Sequence, residues 1–437
     1  MDATAGADSD SSRPLHIAIF PWLAFGHLLP CLELAERLAS RGQRVSFVST
    51  PRILSRLRPV APALASLVDF VALPFPRVDG IPEGVEATSD LPPGKAELHR
   101  EALDRLAPAF SAFLDAASAD GNTVDWVLVD SFHACIADVA HEHKVPCMLN
   151  MPYSAASSVD YGLPDPKDLD NPLTPSVIRR FVETFEKCKL IAYRSSYEFE
   201  PESMPLLTGI FGKPVVPVGL LPPPAGATNT GSDDDAALSW LDGQPSKSVL
   251  YVAFGSEYPM TVKQVHEIAL GLELAGTRFL WALKNPSGVP SDEDVLPPGF
   301  EERTRGRGSV VTGWVPQTSI LGHGAVAAFM MHCGWGSTIE GLQYGQPMII
   351  MPVLGDHLST ARVMHERKIG MKVRKDTKDE AFLGDNIAKA IRAVMVDEES
   401  KGIYAANAKK MQEILEDEKC NQRYIDEFIQ CLRTYKD

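Results

Sequence analysis

The chain has 437 residues, of which 45% are hydrophobic and 23% charged, a composition typical of a globular protein with two or three domains of about 100–200 residues each. It holds 42 lysines and arginines against 57 aspartates and glutamates, so the net charge is −15. Nucleic-acid binders and proteins that attach to anionic membranes need a basic face, and both classes are therefore disfavoured. No run reaches the roughly 18 apolar residues that a membrane-spanning helix requires.

The N-terminus and the cysteines indicate in which cellular compartment the protein is expected. Residues 1–12 are small, polar and acidic, and they lack the apolar region of a secretory signal and the arginines of a transit peptide. We predict a disordered lead-in over residues 1–13. The seven cysteines are scattered without CxxC spacing, which indicates neither a disulfide framework nor a zinc site. A reduced, cytoplasmic location is expected.

Short apolar runs alternate with amphipathic segments along the first half of the chain. Leu15–Phe20 and Arg44–Ser49 are predicted to be buried strands, and His27–Ser40 between them has apolar residues at helical spacing. This β-α-β start predicts a parallel sheet covered by helices on both faces. Further strands of this half are predicted at Asp69–Leu73, Trp126–Val129, Pro146–Leu149 and Leu190–Tyr193.

A change of composition separates two similar halves. Residues 220–235 contain three consecutive prolines and three consecutive aspartates, which is typical of an exposed linker. Strands are then predicted at Ser248–Phe254, Phe279–Leu283, Ser309–Val311, Ala325–Met331 and Met348–Met351. Helices are predicted at Val262–Leu274, at Ser337–Tyr344 and from Asp385 onward.

This pattern predicts an α/β fold with two doubly wound domains. The domains are predicted over residues 14–220 and 246–420, with a linker over residues 221–245. Ligands of open parallel sheets bind at the carboxyl ends of the strands. We therefore expect the site in a cleft that the two halves face, and we expect its residues to follow strands.

Two polar residues follow strands of the first half. His27 stands at the expected start of the first helix, and a histidine can take a proton from a hydroxyl near neutral pH. Asp130 ends the strand Trp126–Val129 and could hold the far ring nitrogen of such a histidine. The alternatives are a helix-start residue without a role for His27, and an N-cap of the helix near His133 for Asp130.

The segment Trp314–His357 collects candidate binding residues in the second half. Within it a strand runs through residues 332–336 into a helix, whose free N–H groups and positive dipole end favour a phosphate. His332 and Ser337 can add hydrogen bonds to the phosphate, and Glu340 can accept hydrogen bonds from two hydroxyls of a ribose. Trp314 can stack on a nucleobase, an interaction worth about 1–3 kcal/mol. A core strand, a glycine turn and buried aromatics stay open as the alternative for each residue taken alone.

Two further turns bear on phosphate binding. Residues 254–257, with the sequence Phe-Gly-Ser-Glu, follow the strand Ser248–Phe254 and could bring N–H groups toward a diphosphate. Residues 21–26, after the first strand, are not glycine-rich. A nicotinamide oxidoreductase needs a glycine-rich turn there, so that rival class is disfavoured.

These residues together resemble a known signature. The 44 residues Trp314–His357 are similar to the signature box of plant secondary-product UDP-glycosyltransferases, which reads W-x-x-Q, HCGWNS, E, P and D/E-Q in order. The resemblance extends over nearly the whole chain. Residues 21–27 and 254–257 resemble the branch that often adds a sugar to the sugar of a flavonoid or terpenoid glycoside.

The resemblance implies the GT-B fold, in which two Rossmann-like domains face a central cleft and the C-terminal one mainly holds the UDP-sugar. It also implies an inverting transfer without a metal or other cofactor. A last helix, over residues 421–437, is implied to return to the N-terminal domain.

The resemblance also assigns roles to residues. It implies that His27 is the base and Asp130 its partner. The implied donor-binding residues are Ser256, Trp314, Val315, Gln317, His332, Gly334, Trp335, Gly336, Ser337, Glu340, Asp356 and His357. The candidates for acceptor binding are Trp22, Phe25, Phe132 and the segment Tyr153–Arg180.

Two positions depart from the family pattern. Gly336 stands where the family usually has asparagine, which removes a side-chain hydrogen bond near the phosphate. His357 stands where glucose-using members usually have glutamine, and members with histidine there include users of UDP-galactose and UDP-rhamnose. An imidazole offers a different donor pattern from an amide. UDP-glucose is the default donor, and UDP-rhamnose and UDP-galactose are the alternatives.

We therefore predict a hexosyltransferase that moves a hexose from a UDP-sugar to a sugar hydroxyl of a small plant glycoside. Transfer to an aglycone hydroxyl is one alternative, and non-catalytic binding of a sugar nucleotide, made conceivable by Gly336, is another. We expect a monomer whose partners are small molecules, without nucleic-acid binding or membrane insertion.

Overall fold

The computed structural model describes residues 13–164, 175–224, 234–258, 260–286, 289, 295–353, 355–378 and 380–436. The chain divides into two compact units, one formed by residues up to Leu221 and from Glu418 onward, the other by Pro222–Asp417. The predicted lead-in at residues 1–12, residues 225–233 of the predicted linker and residues 165–174 of the predicted acceptor segment lie outside the described residues.

The first unit contains a seven-stranded sheet in which all neighbouring strands are parallel. The spatial order is β3-β2-β1-β4-β5-β6-β7. Its strands are β1 (His16–Phe20), β2 (Arg44–Ser49), β3 (Val68–Ala72), β4 (Trp126–Asp130), β5 (Cys147–Met151), β6 (Leu190–Tyr193) and β7 (Val215–Pro217).

Helices connect these strands and cover the sheet. The α-helices are α1 (Phe25–Ala39), α2 (Pro51–Leu54), α3 (Ala96–Asp104), α4 (Ala107–Ala119), α5 (Ala134–Glu142), α6 (Ala155–Tyr161), α7 (Ser176–Lys187) and α8 (Leu207–Phe211). Short 3-10 helices lie at Pro62–Leu64, Thr88–Asp90 and Met204–Leu206. Strands β1, β4, β5 and β6 are buried along their whole length, because helices shield a parallel sheet on both faces.

The second unit repeats this plan with six parallel strands in the order β10-β9-β8-β11-β12-β13. Its strands are β8 (Val249–Ala253), β9 (Arg278–Leu283), β10 (Gly308–Thr312), β11 (Val326–Met331), β12 (Met348–Ile350) and β13 (Gly370–Lys372). Its helices are α9 (Asp234–Asp242), α10 (Val262–Ala275), α11 (Phe300–Arg303), α12 (Gln317–Leu321), α13 (Trp335–Gln343), α14 (Gly355–Glu366), α15 (Gly384–Met395) and α16 (Glu398–Glu416).

The last helix, α17 (Glu418–Thr434), packs on the first unit. Ile425, Phe428 and Leu432 on one face are buried in the core that surrounds the first sheet. The indole Nε1 of Trp126, in β4, donates a hydrogen bond of 3.0 Å to the carbonyl of Leu432. The spacing of these apolar residues fits one helical face.

The first strand of each unit, β1 or β8, lies inside its sheet and not at its edge. Later strands are added first on one side of it and then on the other, so the strand order reverses next to it. In the first unit the reversal lies between β1 and β4, and in the second between β8 and β11. Ligands of doubly wound sheets bind beyond the carboxyl ends of the strands at such a reversal. The predicted fold class, a doubly wound parallel α/β arrangement, is confirmed for both units. Within the described residues no helix is both long enough and apolar enough to span a membrane.

Candidate active site

The topology of the first sheet brings His27 and Asp130 together. Strands β1 and β4 are parallel neighbours, with Phe20 opposite Val129, so both strands end at the same edge. Asp130 is the last residue of β4, and His27 lies in the first turn of α1, directly after the loop that follows β1. The ring nitrogen Nδ1 of His27 lies 2.9 Å from Oδ2 of Asp130.

The carboxylate of Asp130 is fully buried, and both of its oxygens accept hydrogen bonds. Oδ2 also accepts a 3.1 Å bond from the backbone N–H of Trp22, and Oδ1 accepts a 2.7 Å bond from the backbone N–H of Ser131. Burial by itself would raise the pKa of Asp130, but the His27 ring and these hydrogen bonds outweigh it and hold the pKa below its ordinary value. The group is therefore an anion at neutral pH.

An ionised carboxylate can only accept, so Nδ1 of His27 must be the donor in this pair. In the neutral imidazole the lone pair then lies on Nε2, which makes Nε2 the nitrogen that can take a proton. The side chain of His27 is 16% exposed, and its ring makes a T-shaped contact with the ring of Tyr153, with 5.9 Å between the ring centroids. This arrangement can act as an oriented general base.

The capping alternative for Asp130 is wrong. Helix α5 begins at Ala134 with His133 as its N-cap, and no side chain caps it. Both carboxylate oxygens of Asp130 are instead directed to His27, Trp22 and Ser131.

The three candidate acceptor residues differ in exposure. The Trp22 side chain is 8% exposed and packs against the rings of His99, Phe132 and His133. Phe25 is 5% exposed, with the guanidinium of Arg56 4.5 Å from its ring centroid. Phe132 is half-buried. Of the three, Phe132 presents the most surface, and Trp22 also contributes its backbone N–H to Asp130.

In the second unit, the predicted binding residues follow four strands of the same parallel sheet, at the carboxyl ends of those strands. Ser256 follows β8, Trp314 follows β10, and His332 follows β11. Asp356 and His357 follow β12, in the first turn of α14. The residues predicted from the signature segment therefore share the edge where ligands of doubly wound sheets bind.

His332 occupies a space that two glycines leave open. A Cβ added at Gly255 would lie 2.8 Å from His332 Cε1, and one at Gly334 would lie 2.6 Å from His332 Nε2. Gly255 also has φ of +73°, in the left-handed region that glycine adopts without strain. Glycine at both positions therefore lets the turns after β8 and β11 approach the same ring.

The His332 ring is neutral at physiological pH. Burial, together with the neighbouring His357, lowers the pKa of His332 to about 3. The two rings are 4.7 Å apart in an edge-to-face contact, and burial also lowers the pKa of His357 despite the carboxylate of Asp356. His332 Nδ1 is buried without a hydrogen-bond partner in the described part of the chain, which is the condition of a polar atom that a ligand would satisfy.

The start of α13 adds backbone donors beside His332. Gly334 is its N-cap and carries no side chain to cap the first N–H groups. Trp335 is 4% exposed and fixes the start of the helix in the core, while Gly336 and Ser337 follow in the first turn, both half-buried. Uncapped N–H groups and the positive helix end attract an anion.

A hydrogen-bonded chain orients Glu340. Nε2 of Gln317 donates a 2.6 Å bond to Oε2 of Glu340, and the hydroxyl of Tyr251 donates a 3.1 Å bond to Oε1 of Gln317. Gln317 and Glu340 are half-buried. The chain fixes one carboxylate oxygen of Glu340 through an amide, which suits recognition of paired hydroxyls.

The aromatic residue of the signature lies at the surface. The Trp314 side chain is 47% exposed, as a platform for a planar ring would be. The next residue, Val315, is half-buried, and its carbonyl accepts a 2.8 Å bond from the N–H of Gln317. That bond fixes the turn between Trp314 and α12.

Sequence reasoning missed two residues of this edge. Tyr251 lies inside β8, where a buried strand residue gives no signal of a polar role. Lys284 directly follows β9, and its ammonium donates a hydrogen bond to the carbonyl of Ser256. The rule that functional residues follow strands could have found Lys284. Within the described residues no group of three or more histidine, cysteine, aspartate or glutamate side chains could hold a metal ion.

Comparison with known proteins agrees with the signature segment. The family model described as "UDP-glucoronosyl and UDP-glucosyl transferase" matches residues 226–421. UDP-glycosyltransferase 91D2 of Stevia rebaudiana is 34% identical, over 98% of this chain and 97% of its own length. Soyasaponin III rhamnosyltransferase of Glycine max is also 34% identical, over 100% of this chain and 99% of its own length.

The chain belongs to the plant UDP-glycosyltransferases. It is an enzyme of that family, as its signature segment predicted, and it transfers a sugar from a UDP-sugar. Its GT-B fold, with two parallel-sheet units, is shared by UGT89C1 of Arabidopsis thaliana, whose crystal structure was solved in complex with UDP-L-rhamnose. The two chains are 27% identical with a TM-score of 0.81, over 96% of this chain and 99% of the other.

Proposed function

We propose that this UDP-glycosyltransferase moves a hexose onto a sugar hydroxyl of a flavonoid or terpenoid glycoside, with inversion at the anomeric carbon. The observation that carries the proposal is the 2.9 Å contact between His27 and the buried anion Asp130. A base with a fixed tautomer suits removal of a proton from a weakly acidic sugar hydroxyl. The relation to a soyasaponin rhamnosyltransferase supports a glycoside as the acceptor.

The proposed chemical step is a single displacement. Nε2 of His27 takes the proton of the acceptor hydroxyl while the acceptor oxygen attacks the anomeric carbon. Asp130 holds the ring through Nδ1 and stabilises the imidazolium that forms, as the carboxylate does in a Ser-His-Asp triad. The electron pair of the broken bond leaves with UDP on the opposite side of the sugar.

The proposed site for the UDP-sugar lies at the carboxyl ends of the strands of the second sheet. Trp314 stacks on uracil, Glu340 accepts hydrogen bonds from the ribose, and Gln317 orients Glu340. The diphosphate lies against the start of α13, His332, Ser256 and Ser337. Because His332 is neutral, it contributes a hydrogen bond and not a charge. Donors fixed before the reaction stabilise the charge that develops on the leaving group.

UDP-glucose is the default donor that we propose, and UDP-rhamnose is the second candidate. The second candidate rests on His357, which is 7% exposed and packs against His332. A neutral imidazole has one donor and one acceptor, whereas a glutamine amide has two N–H donors. A 6-deoxy sugar requires fewer hydrogen bonds, and the structural relative UGT89C1 was solved with UDP-L-rhamnose. UDP-galactose stays as a third donor to be tested.

The experiment is a matrix of donors and acceptors. UDP-glucose, UDP-rhamnose and UDP-galactose are each combined with flavonoid and terpenoid glycosides and with the matching aglycones. With the glycosides we expect UDP release and a product in which the aglycone carries one more sugar, and NMR of the product gives the linkage and the anomeric configuration. Preference for the aglycones would refute the sugar hydroxyl as acceptor. Retention of configuration would refute the single displacement, and UDP binding without any transfer would indicate a non-catalytic binder.

A further inference from the structure

The ring of the proposed base has a second neighbour besides Asp130. His27 makes a T-shaped contact with Tyr153, which is half-buried against the core of the first unit. Tyr153 lies between Met151, the last residue of β5, and Ser154, the N-cap of α6. The position of its ring therefore depends on how the chain leaves β5 and enters α6.

A buried carboxylate from another loop fixes the start of α6. Glu200 lies in the loop after β6 and is 1% exposed. Its Oε1 accepts a 2.7 Å bond from the hydroxyl of Ser154 and a 3.1 Å bond from the N–H of Ala156. Its Oε2 accepts a 2.9 Å bond from the N–H of Ala155 and a 2.5 Å bond from the hydroxyl of Ser195. Three of these four donors belong to the first residues of α6 and to its N-cap.

These contacts make Glu200 an additional cap of α6. The first N–H groups of a helix have no partner within the helix, and they favour a negative group. The hydroxyl oxygen of Ser154 accepts a 3.2 Å bond from the N–H of Ala156, so this N–H is shared between the serine cap and Glu200. Hydrogen bonds to a carboxylate are stronger than those between neutral groups. The start of α6, and with it the position of Tyr153, therefore depends on Glu200.

We propose that Glu200 is a positioning residue of the transfer reaction, which acts through the start of α6 and Tyr153 on the orientation of the His27 ring. The inference rests on the proposed function, since it requires His27 to be the base. Asp130 holds the ring at Nδ1, and the contact with Tyr153 limits rotation of the ring about that hydrogen bond. Nε2 then stays directed to the place where the acceptor hydroxyl must lie. A misplacement of about 1 Å can cost about 10²-fold in rate.

A purely structural role for Glu200 is the competing explanation. The hydroxyl of Tyr193, in β6, donates a 3.1 Å bond to the carbonyl of Ser154 and holds the same segment. If that bond is sufficient, Glu200 adds stability to the first unit and Tyr153 keeps its place without it. Lower stability alone does not lower kcat while the enzyme is folded in the assay, so kcat separates the two explanations.

The experiment is a double-mutant cycle of Glu200→Gln and Tyr153→Ala in the full chain, with kcat measured where circular dichroism shows every variant to be folded. Glutamine has a similar shape, but it replaces one acceptor oxygen by an amide group that faces other donors. We expect each single variant to lower kcat by about 10- to 100-fold, with UDP affinity unchanged. The double variant should be no slower than Tyr153→Ala, because both changes act on the same contact.

The matched control is Glu198→Gln, the same substitution in the same loop. The carboxylate of Glu198 accepts bonds from Arg423 and Tyr424 of α17, so this variant should lose stability and keep the wild-type kcat. Should Glu200→Gln fail to fold, Ser154→Ala takes its place in the cycle. It removes one donor to Glu200 together with the side-chain cap of α6.

Wild-type kcat in Glu200→Gln would overturn the inference in favour of a structural role. A double variant that loses the product of the two single effects would also overturn it, since Glu200 would then act independently of Tyr153. The cycle uses whichever acceptor the wild type glycosylates, so preference for an aglycone would refute the proposed acceptor and leave the test of Glu200 intact. Unchanged kcat in His27→Ala, or a wild type without transfer to any acceptor, would overturn both.

Discussion

The contact between His27 and Asp130 depends on a carboxylate that is both buried and ionised. Desolvation works against the charge, and it is outweighed by hydrogen bonds from the Trp22 and Ser131 backbone and by the His27 ring. If one member of this hydrogen-bonded group is removed, the buried polar atoms that it contacted lose their hydrogen-bond partner. The two side chains are therefore expected to act as one unit in catalysis.

The first prediction concerns that unit. His27→Ala should lower kcat by about 10²- to 10⁴-fold, the usual contribution of a general base, with UDP affinity unchanged. Asp130→Asn should cause a loss in the same range, since an amide cannot stabilise the imidazolium. Steady-state kinetics and UDP titration of both variants and of the double variant provide the measurement. If the double variant loses the product of the two single effects, the residues act separately and the dyad is refuted.

The second prediction concerns His133, which is buried and whose Nδ1 donates a 3.2 Å hydrogen bond to the Phe20 carbonyl. Burial lowers its pKa to about 4, below the value near 6.5 of an unfolded chain. Between these two values the unfolded state binds more protons, so stability is complete above pH 6.5 and falls as the pH falls toward 4. At pH 5 this residue alone should cost about 2 kcal/mol of unfolding free energy.

Denaturant unfolding at pH 7 and pH 5 tests the role of His133. His133→Gln keeps an N–H donor for the Phe20 carbonyl and removes the titration, so its loss of stability between the two pH values should be smaller by about 2 kcal/mol. His141→Gln, at an exposed position of α5, is the matched control and should lose as much as the wild type. An unchanged pH dependence in His133→Gln would refute the prediction.

Two turns, after β8 and after β11, together define the environment of His332. Each contains a residue with positive φ, Gly255 at +73° and Cys333 at +68°. Strands of five and six residues end at these turns, so the backbone turns sharply where the ligand is proposed to lie. The position of the His332 ring in the proposed donor site therefore depends on the backbone of both turns and not on His332 alone.

The third prediction follows from this packing. Gly255→Ala should weaken UDP binding about tenfold or more, because the new methyl group lies 2.8 Å from the His332 ring at a backbone conformation that alanine disfavours. Gly276→Ala is the matched control, with φ of +72° and no atom within 4 Å of the added Cβ. It should lose stability by about 1 kcal/mol through backbone strain and leave UDP binding unchanged. Equal UDP affinity in both variants would contradict the proposed packing.

The elements around these turns were largely predictable from the sequence. The predicted strands Arg44–Ser49 and Leu190–Tyr193 match β2 and β6, and the predicted helix Val262–Leu274 ends one residue before the end of α10. Strands β7 and β13 were not predicted, since three residues are too short to show a period and, unlike the all-apolar β12, β7 ends in a proline and β13 in a lysine. Burial of the Trp22 ring was not predictable either, because it depends on His99 and His133, which are remote in sequence.

At the scale of the whole molecule, the course of the chain makes the first unit depend on the C-terminal helix. The polypeptide forms one unit, continues through the second, and ends in α17 on the first. The aromatic and aliphatic face of α17 contacts the core beneath β4, the strand that ends in Asp130. The hydroxyl of Tyr424 adds a 2.6 Å bond to Oε2 of Glu198, which ties the helix to the loop after β6. The last helix is therefore a structural part of the unit that holds the proposed base.

The final prediction tests this dependence. Leu432 is fully buried in the core of the first unit, and its carbonyl accepts the bond from Trp126. Leu432→Ala should destabilise that unit by about 2–5 kcal/mol, as cavities in well-packed cores do. Hydrogen exchange measured by mass spectrometry should show faster exchange in β4 and unchanged exchange in β8, whereas Gln430→Ala, at an exposed position of the same helix, should leave both unchanged. Equal acceleration in β4 and β8 would mean that the two units unfold together, and no acceleration in β4 would mean that α17 adds no stability there.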